Sequence, residues 1–262
     1  MDWTIIKTSE EIEIMRQSGK ILALVLAELG KAVRPGVTTG ELEALAEKLI
    51  EKNGAKPAFK NYQPDQRDTP FPTTLCASIN GEVVHAPALP PRVLGAGDII
   101  SLDLGLKYPA GPSGLFTDAA ITVAVGEISS EAKKLIKVTA EALEAGIAKI
   151  RPGNFISDIS RAIQEHVESN GFSVVRDLVG HGVGKKAHEP PRIPNFFDRF
   201  EKPVELKEGM TICLEPMVTA GGPEVETLDD RWTVVTSDGK LSAHFEHTVA
   251  VTKNGHEILT KL

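Results

Sequence analysis

The sequence predicts an α/β protein folded from two related halves, with acid-bearing strands buried against each other and four helices outside. Three observations predict it. The tripeptide Arg-Pro-Gly at 34–36 returns 117 residues later at 151–153, and Asn53-Gly54 returns as Asn170-Gly171 at the same offset. Around each pair the chain runs in one order: a helical apolar pattern, the Arg-Pro-Gly turn, a second helical pattern, an Asn-Gly stop, then strands. At an offset of 112, Asp103 in GDIISLDLG matches Glu215 in EGMTICLEP, so both halves place an acid late in an equivalent strand. The halves span about 8–125 and 129–252 of the 262 residues. No segment between them reads as a linker, so 1–262 is expected to form one domain with its site where the halves meet.

The first helix opens at Thr8, three residues before Glu11, which is capping-box spacing. Ile12, Met15, Ile21, Leu22, Val25, Leu26 and Leu29 share an apolar side, and Arg34-Pro35-Gly36 ends the helix. The second opens near Thr38, with Glu41 three residues on, and stacks Leu42, Leu45, Ala46 and Leu49. Asn53-Gly54 supplies its left-handed C-cap. The counterparts in the second half are roughly 130–149 and 157–169. Asn80-Gly81 in SINGEVVHAPA predicts a hairpin whose second strand ends at His85. Segments 61–73, 107–114 and 189–205 read as polar or Pro- and Gly-rich connections.

A formal net charge of -7 argues against a general nucleic-acid binder, although Lys185-Lys186 is locally basic. Cys76 and Cys213 lie far apart without C-x-x-C spacing, which disfavours a disulfide framework or a zinc knuckle and fits a reducing cytosol. The beginning of the chain is acidic where a signal peptide needs a basic head, and the apolar run 21–29 is too short to span a bilayer. A cytoplasmic protein without a membrane partner is expected.

Asp103, Asp118, His181, Glu215 and Glu246 each sit in a short apolar or glycine-bounded segment, where a solvated charge is not normally placed. Any one of the acids alone reads as a strand-end hydrogen-bond acceptor. Four acids driven into one core repel each other and carry a large desolvation penalty unless cations sit among them. The set therefore predicts a dinuclear metal site. Oxygen-rich ligation with one imidazole suits Mn, Fe, Co or Zn.

GHGVGKKAHEPP carries His181 and His188 with glycines on both sides of the first, which lets the backbone approach a neighbour closely. A phosphate cradle is the competing reading, but the G-x-x-x-x-G-K-[ST] pattern fails. Beside the carboxylates, His181 is the natural nitrogen ligand. His85 alone reads as a satisfied or exposed strand-end histidine.

Together these motifs resemble the type I methionine aminopeptidases of the pita-bread fold, in the short bacterial form, over nearly the whole chain. The family order is a histidine after N-[DE]-V-V, an Asp in a D-I-[VI]-x-[IVL]-D strand, a second Asp before a β run, G-H-G-[IV]-G…H-E, a Glu in E-P-M and a Glu before H-T. Here these are His85, Asp103, Asp118, His181 with His188, Glu215 and Glu246. The resemblance implies a curved antiparallel sheet flanked by helices, forming a single catalytic domain. It implies two divalent cations on Asp103, Asp118, His181, Glu215 and Glu246, with Asp118 and Glu246 bridging. His85 and His188 would contact substrate, Glu215 would act as general base, and Phe71, Cys76 and Trp232 would wall the methionine pocket. The implied activity is removal of the initiator methionine before a small uncharged second residue. The partners are N-termini of nascent polypeptides, with transient ribosome association, for a monomer that binds no specific nucleic-acid sequence. The departures are PAGPSG in the connection between Asp103 and Asp118, Ala86 for a usual Gly, Phe71 for a usual Tyr, and Ala187 where a bulky residue often stands.

Three rivals carry other expectations. An X-Pro aminopeptidase or prolidase would use a similar ligand set but usually carries a further N-terminal domain. A non-catalytic binding module on the same fold has no need of all five ligands and both histidines, and an acidic dinuclear phosphatase would cleave phosphoesters instead of peptides.

Overall fold

A computed structural model describes residues 4–63, 65 and 69–262, so part of the expected 61–73 connection lies outside the described residues. The helices form where the patterns place them. α1 (Ser9–Ala32) and α2 (Thr39–Lys52) open with complete capping boxes, Thr8 with Glu11 and Thr38 with Glu41. α3 (Ser130–Ile147) is capped by the Ser129 side chain, and α4 (Ile156–Ser169) starts at Phe155. The first half adds β1 (Lys56–Pro57), β2 (Cys76–Ile79), β3 (Glu82–Val84), β4 (Ile99–Tyr108) and β5 (Leu115–Ala124). The second adds β6 (Ser173–Val174), β7 (Gly180–Gly182), β8 (Glu189–Ile193), β9 (Thr211–Leu214), β10 (Met217–Thr219), β11 (Val225–Thr227), β12 (Val234–Thr236), β13 (Ser242–His244), β14 (Glu246–Thr252) and β15 (Gly255–Ile258).

Nine strands form one curled antiparallel sheet in the order β1-β4-β5-β14-β9-β7-β8, with β2 on β4 and β15 on β14. The pairing of β5 with β14 joins strands from the two halves. Each half brings its own helix pair. Leu22, Val25 and Leu29 of α1 and Leu42 of α2 pack with Ile100, Leu102 and Leu104, while Leu135 and Val138 of α3 and Ile159 and Ile163 of α4 pack with Ile212, Leu214 and Val249. One face of the sheet is thus sealed by helices, and the other is left for the site.

Two expectations change. The chain does turn at Asn80-Gly81, but β2 pairs with β4 whereas β3 pairs with β12, so the expected hairpin is a turn between two sheets. Segment 189–205 is not all loop, because Glu189–Ile193 forms β8 against β7. Pro190 and Pro191 argue against a strand, but β8 lies at the end of the sheet order, where one edge has no strand partner among the described residues. The PAGPSG connection leaves β4 and β5 paired without a break from Ile99↔Ala124 to Tyr108↔Leu115.

The segment before α1 is tied to this edge by a buried ion pair, Lys7 with Glu189, whose side chains are 1% and 0% exposed. The same carboxylate accepts from the Lys186 N–H at 2.8 Å, which holds the loop carrying His188. Removing one partner strands a buried charge, so Lys7→Ala should lower unfolding free energy by about 3–5 kcal/mol in urea titrations. Lys7→Met with Glu189→Met should recover most of that. Equal stability of Lys7→Ala and the parent chain would show that the pair contributes nothing.

Candidate metal and peptide site

Cross-strand register explains why acids far apart in sequence meet. In antiparallel pairs, directly opposed residues point to the same face, as do residues two apart on one strand. Asp103 lies opposite Ala120, and Ala120 lies opposite Glu246, so these three form one row across β4, β5 and β14. Asp118, two residues before Ala120, shares their face. Thr248 lies opposite Cys213, and Cys213 opposite His181, so His181 joins the face on β7. Glu215 follows β9 two residues past Cys213, in the same alternation. The small side chain of Ala120 leaves room between the flanking acids.

The carboxylates of Asp103, Asp118 and Glu246 converge within 4.8 Å, at 7%, 4% and 2% exposure. Asp103 Oδ1, Asp118 Oδ1 and Glu246 Oε1 are buried without a hydrogen-bond donor among the described residues. Burial first, and mutual repulsion second, push Asp103, Glu215 and Glu246 well above the usual carboxylate range. Burial raises Asp118 to about 7.

His181 supplies the complementary clue. Its Nδ1 lies 2.9 Å from the Gly182 carbonyl oxygen, which can only accept, so Nδ1 carries the ring proton and Nε2 is a bare lone pair. That lone pair faces Glu215 Oε1 at 3.5 Å. Two acceptors facing each other, beside three carboxylate oxygens without donors, fit divalent cations. Cys213 lies within reach of His181 and Glu246, but burial pushes its thiol well up, which leaves it a neutral neighbour. The glycines around His181 allow close approach to protein backbone rather than to a ligand. A Cβ on Gly180 would sit 2.3 Å from the Cys213 carbonyl oxygen, and one on Gly182 2.3 Å from that of Pro190.

Above this cluster opens a cavity of about 350 Å³, and all ten residues singled out in the sequence line it: His85, Asp103, Asp118, His181, His188, Glu215, Glu246, Phe71, Cys76 and Trp232. Phe71 meets Trp232 edge-on at 5.2 Å and Phe59 at 6.4 Å, forming an aromatic wall. His85 follows β3 at φ 60°, a left-handed conformation uncommon outside glycine, and its ring lies 6.5 Å from Trp232. His188 stacks obliquely on His181 at 4.3 Å, and its Nδ1 lies 2.8 Å from the Tyr62 hydroxyl. Ala187 is buried but lies outside the lining set. Sequence reasoning missed Phe59, Tyr62, Val84, Asp177, Leu178, Val179 and Met217, which complete the wall. Tyr62 sits in a proline-rich loop with no periodic signal. His244 was also missed, although alternation from Glu246 could have flagged it.

The model of the family described as Metallopeptidase family M24 matches residues 13–253. The chain belongs to metallopeptidase family M24. Within that family it is 50% identical over 257 residues to a methionine aminopeptidase of Clostridium perfringens, covering 98% of each chain. The crystal structure of a methionine aminopeptidase from Thermotoga maritima superimposes with a TM-score of 0.92 at 45% identity, covering 99% of this chain and 100% of that one. A prolidase from Pyrococcus horikoshii shares the fold at TM-score 0.77 and 23% identity, and this chain spans 64% of it. No helix among the described residues is long and apolar enough to cross a membrane.

The raised carboxylates have a consequence for this M24 metallopeptidase when chelated. Acids whose folded pKa exceeds the unfolded value hold protons more tightly when folded, so stability falls as pH rises through the folded pKa. Burial lowers His85 and His247 to about 4 and His181 and His244 to about 3, which acts in the opposite sense. That opposition operates only below about 6.5, because above it the histidines are neutral in both states. Chelated protein should therefore lose thermal stability as pH rises from about 6.5 through the Asp118 value of about 7 and beyond, while protein loaded with divalent cations should not. Parallel melting curves would show that the acids need no counter-charge.

Proposed function

We propose that this metallopeptidase removes the N-terminal methionine of nascent polypeptides in the cytoplasm, acting as a monomer on two divalent cations and preferring a small uncharged second residue. One observation carries the reading: three buried carboxylates, the largely covered Glu215 and a bare imidazole nitrogen line the floor of a cavity of about 350 Å³ whose wall is aromatic. Half identity over the full chain to a methionine aminopeptidase supports it. The prolidase reading has only the fold behind it. A non-catalytic module would not need acids held this far from water.

Asp103, Asp118, His181, Glu215 and Glu246 would hold the cations, and their oxygen-rich donor set with one imidazole would suit Mn, Fe, Co or Zn. Divalent cations bound there supply an activated water at neutral pH and a Lewis acid for the scissile carbonyl. Glu215, its carboxylate raised by burial, accepts the proton of the attacking water. The Tyr62 hydroxyl, kept protonated by burial, donates to His188 Nδ1, so His188 Nε2–H is left as the donor for the carbonyl oxygen as charge develops. His85 meets the side of the scissile nitrogen. Phe59, Phe71, Cys76 and Trp232 receive the methionine side chain, whose flexible thioether suits an irregular apolar pocket. Transient association with the ribosome belongs to the same reading.

Cleavage of Met-Ala-Ser should vanish on chelation and return with Co, Mn, Fe or Zn. A metal-free sample that still cleaves would overturn the reading. His188→Ala should lower kcat on the order of 10², with KM changed less and metal content unchanged, because an oxyanion contact strengthens only in the transition state. Loss of one ion in that variant, measured by metal analysis, would make His188 a ligand instead.

A further inference from the structure

His244 lies behind the site, outside both the proposed ligand set and the cavity wall. It ends β13 at 1% exposure, and neither ring nitrogen has a hydrogen-bond partner among the described residues. A buried imidazole without partners calls for an explanation. What it faces is the Glu215 carboxylate. His244 Nε2 lies 3.6 Å from Oε2, whereas Oε1 of the same group lies 3.5 Å from the bare Nε2 of His181.

The backbone of His244 is held from two sides. Its N–H donates to Thr122 Oγ1, and that hydroxyl donates to the His244 carbonyl, both at 2.8 Å. The Ser101 hydroxyl lies 2.8 Å from Thr122 Oγ1 and can donate to it. On the other side, β13 pairs with β10, so His244 lies opposite Met217, two residues past Glu215. The backbone at His244 is thus fixed relative to the acid-bearing strand β5 and to the segment that carries Glu215. Of the two ring nitrogens, Nε2 is the one that faces the carboxylate.

We propose that His244 is a positioning residue for Glu215, directing an Nε2–H at Oε2 so that Oε1 stays turned towards His181 and the acid cluster. The inference rests on the reading of Glu215 as a metal ligand and proton acceptor. A carboxylate free to rotate about its last bond would exchange its two oxygens and blur the ligand position. Held on one side, it presents the same oxygen each time.

The experiment compares His244→Gln with His244→Met, two unbranched side chains of similar length, of which only the first keeps an N–H at that reach. Chelator-stripped protein is titrated with Mn²⁺ by calorimetry, and kcat and KM for Met-Ala-Ser are measured on reloaded protein. His244→Met should weaken Mn²⁺ binding by about tenfold or more and lower kcat similarly, with KM within about twofold. His244→Gln should recover most of both. The proposal is overturned if His244→Met binds and turns over as the parent does, or if His244→Gln is as impaired as His244→Met. Should His244→Met fail to fold, His244→Asn replaces it, since its amide is too short to reach Oε2, and parental Mn²⁺ affinity there overturns the proposal equally. Glu215→Gln is measured alongside. Unchanged Mn²⁺ affinity in Glu215→Gln sinks the ligand reading itself, whereas a loss there with an unaffected His244→Met sinks only the role of His244.

Discussion

Electrostatic repulsion among buried carboxylates is the constraint on which the rest of this molecule depends. Asp103, Asp118 and Glu246 share one face of one sheet with Glu215 just past the end of β9, and three of the four hold an oxygen that no donor among the described residues satisfies. Removing an ion from water costs several kcal/mol even after relaxation, and like charges nearby add to it. Held this way, the acids stay ionised near neutral pH only with counter-charge in their midst. The lone pair of His181, fixed by the Gly182 carbonyl, points at the same place.

The scaffold is arranged to bear that load. Each half seals its part of the opposite sheet face with a helix pair, so the acids cannot relax by letting water in from behind. Ladder hydrogen bonds set the acids in rows, and the β5–β14 pairing brings Asp118 and Glu246 from separate halves together. Outside these rows, Lys7 with Glu189 and Phe116 N–H with the Gly184 carbonyl at 2.7 Å hold the loop between His181 and His188. Charged atoms that must sit still are thus attached to backbone that has little freedom.

Directly above, the surroundings become apolar. Phe71 meets both Phe59 and Trp232 edge to face, which favours a rigid wall over a deformable one. The histidines occupy the boundary between the two environments. His188 touches both, stacked on His181 and hydrogen-bonded to Tyr62. Ala187, buried outside the lining, leaves wall closure to the aromatic residues.

Much of this was legible in the chain itself. Capping boxes at Thr8 and Thr38, the Asn53-Gly54 stop and the apolar periodicities are local, so they placed all four helices to within two residues or so. The misplaced acids were equally visible, because an unpaired carboxylate in an apolar strand is anomalous wherever its neighbours lie. Register was not legible. Whether Asp103 meets Glu246 depends on both lying opposite Ala120, and no local pattern encodes which residues of distant strands face each other. For the same reason Asn80-Gly81 promised a hairpin but joined two sheets, and Pro190-Pro191 concealed an edge strand whose partner is β7. Tyr62 and His244 became visible only through what they touch. Side-chain chemistry and short-range periodicity are properties of the sequence; convergence across strands is decided by long-range pairing, which exists only once the chain has folded.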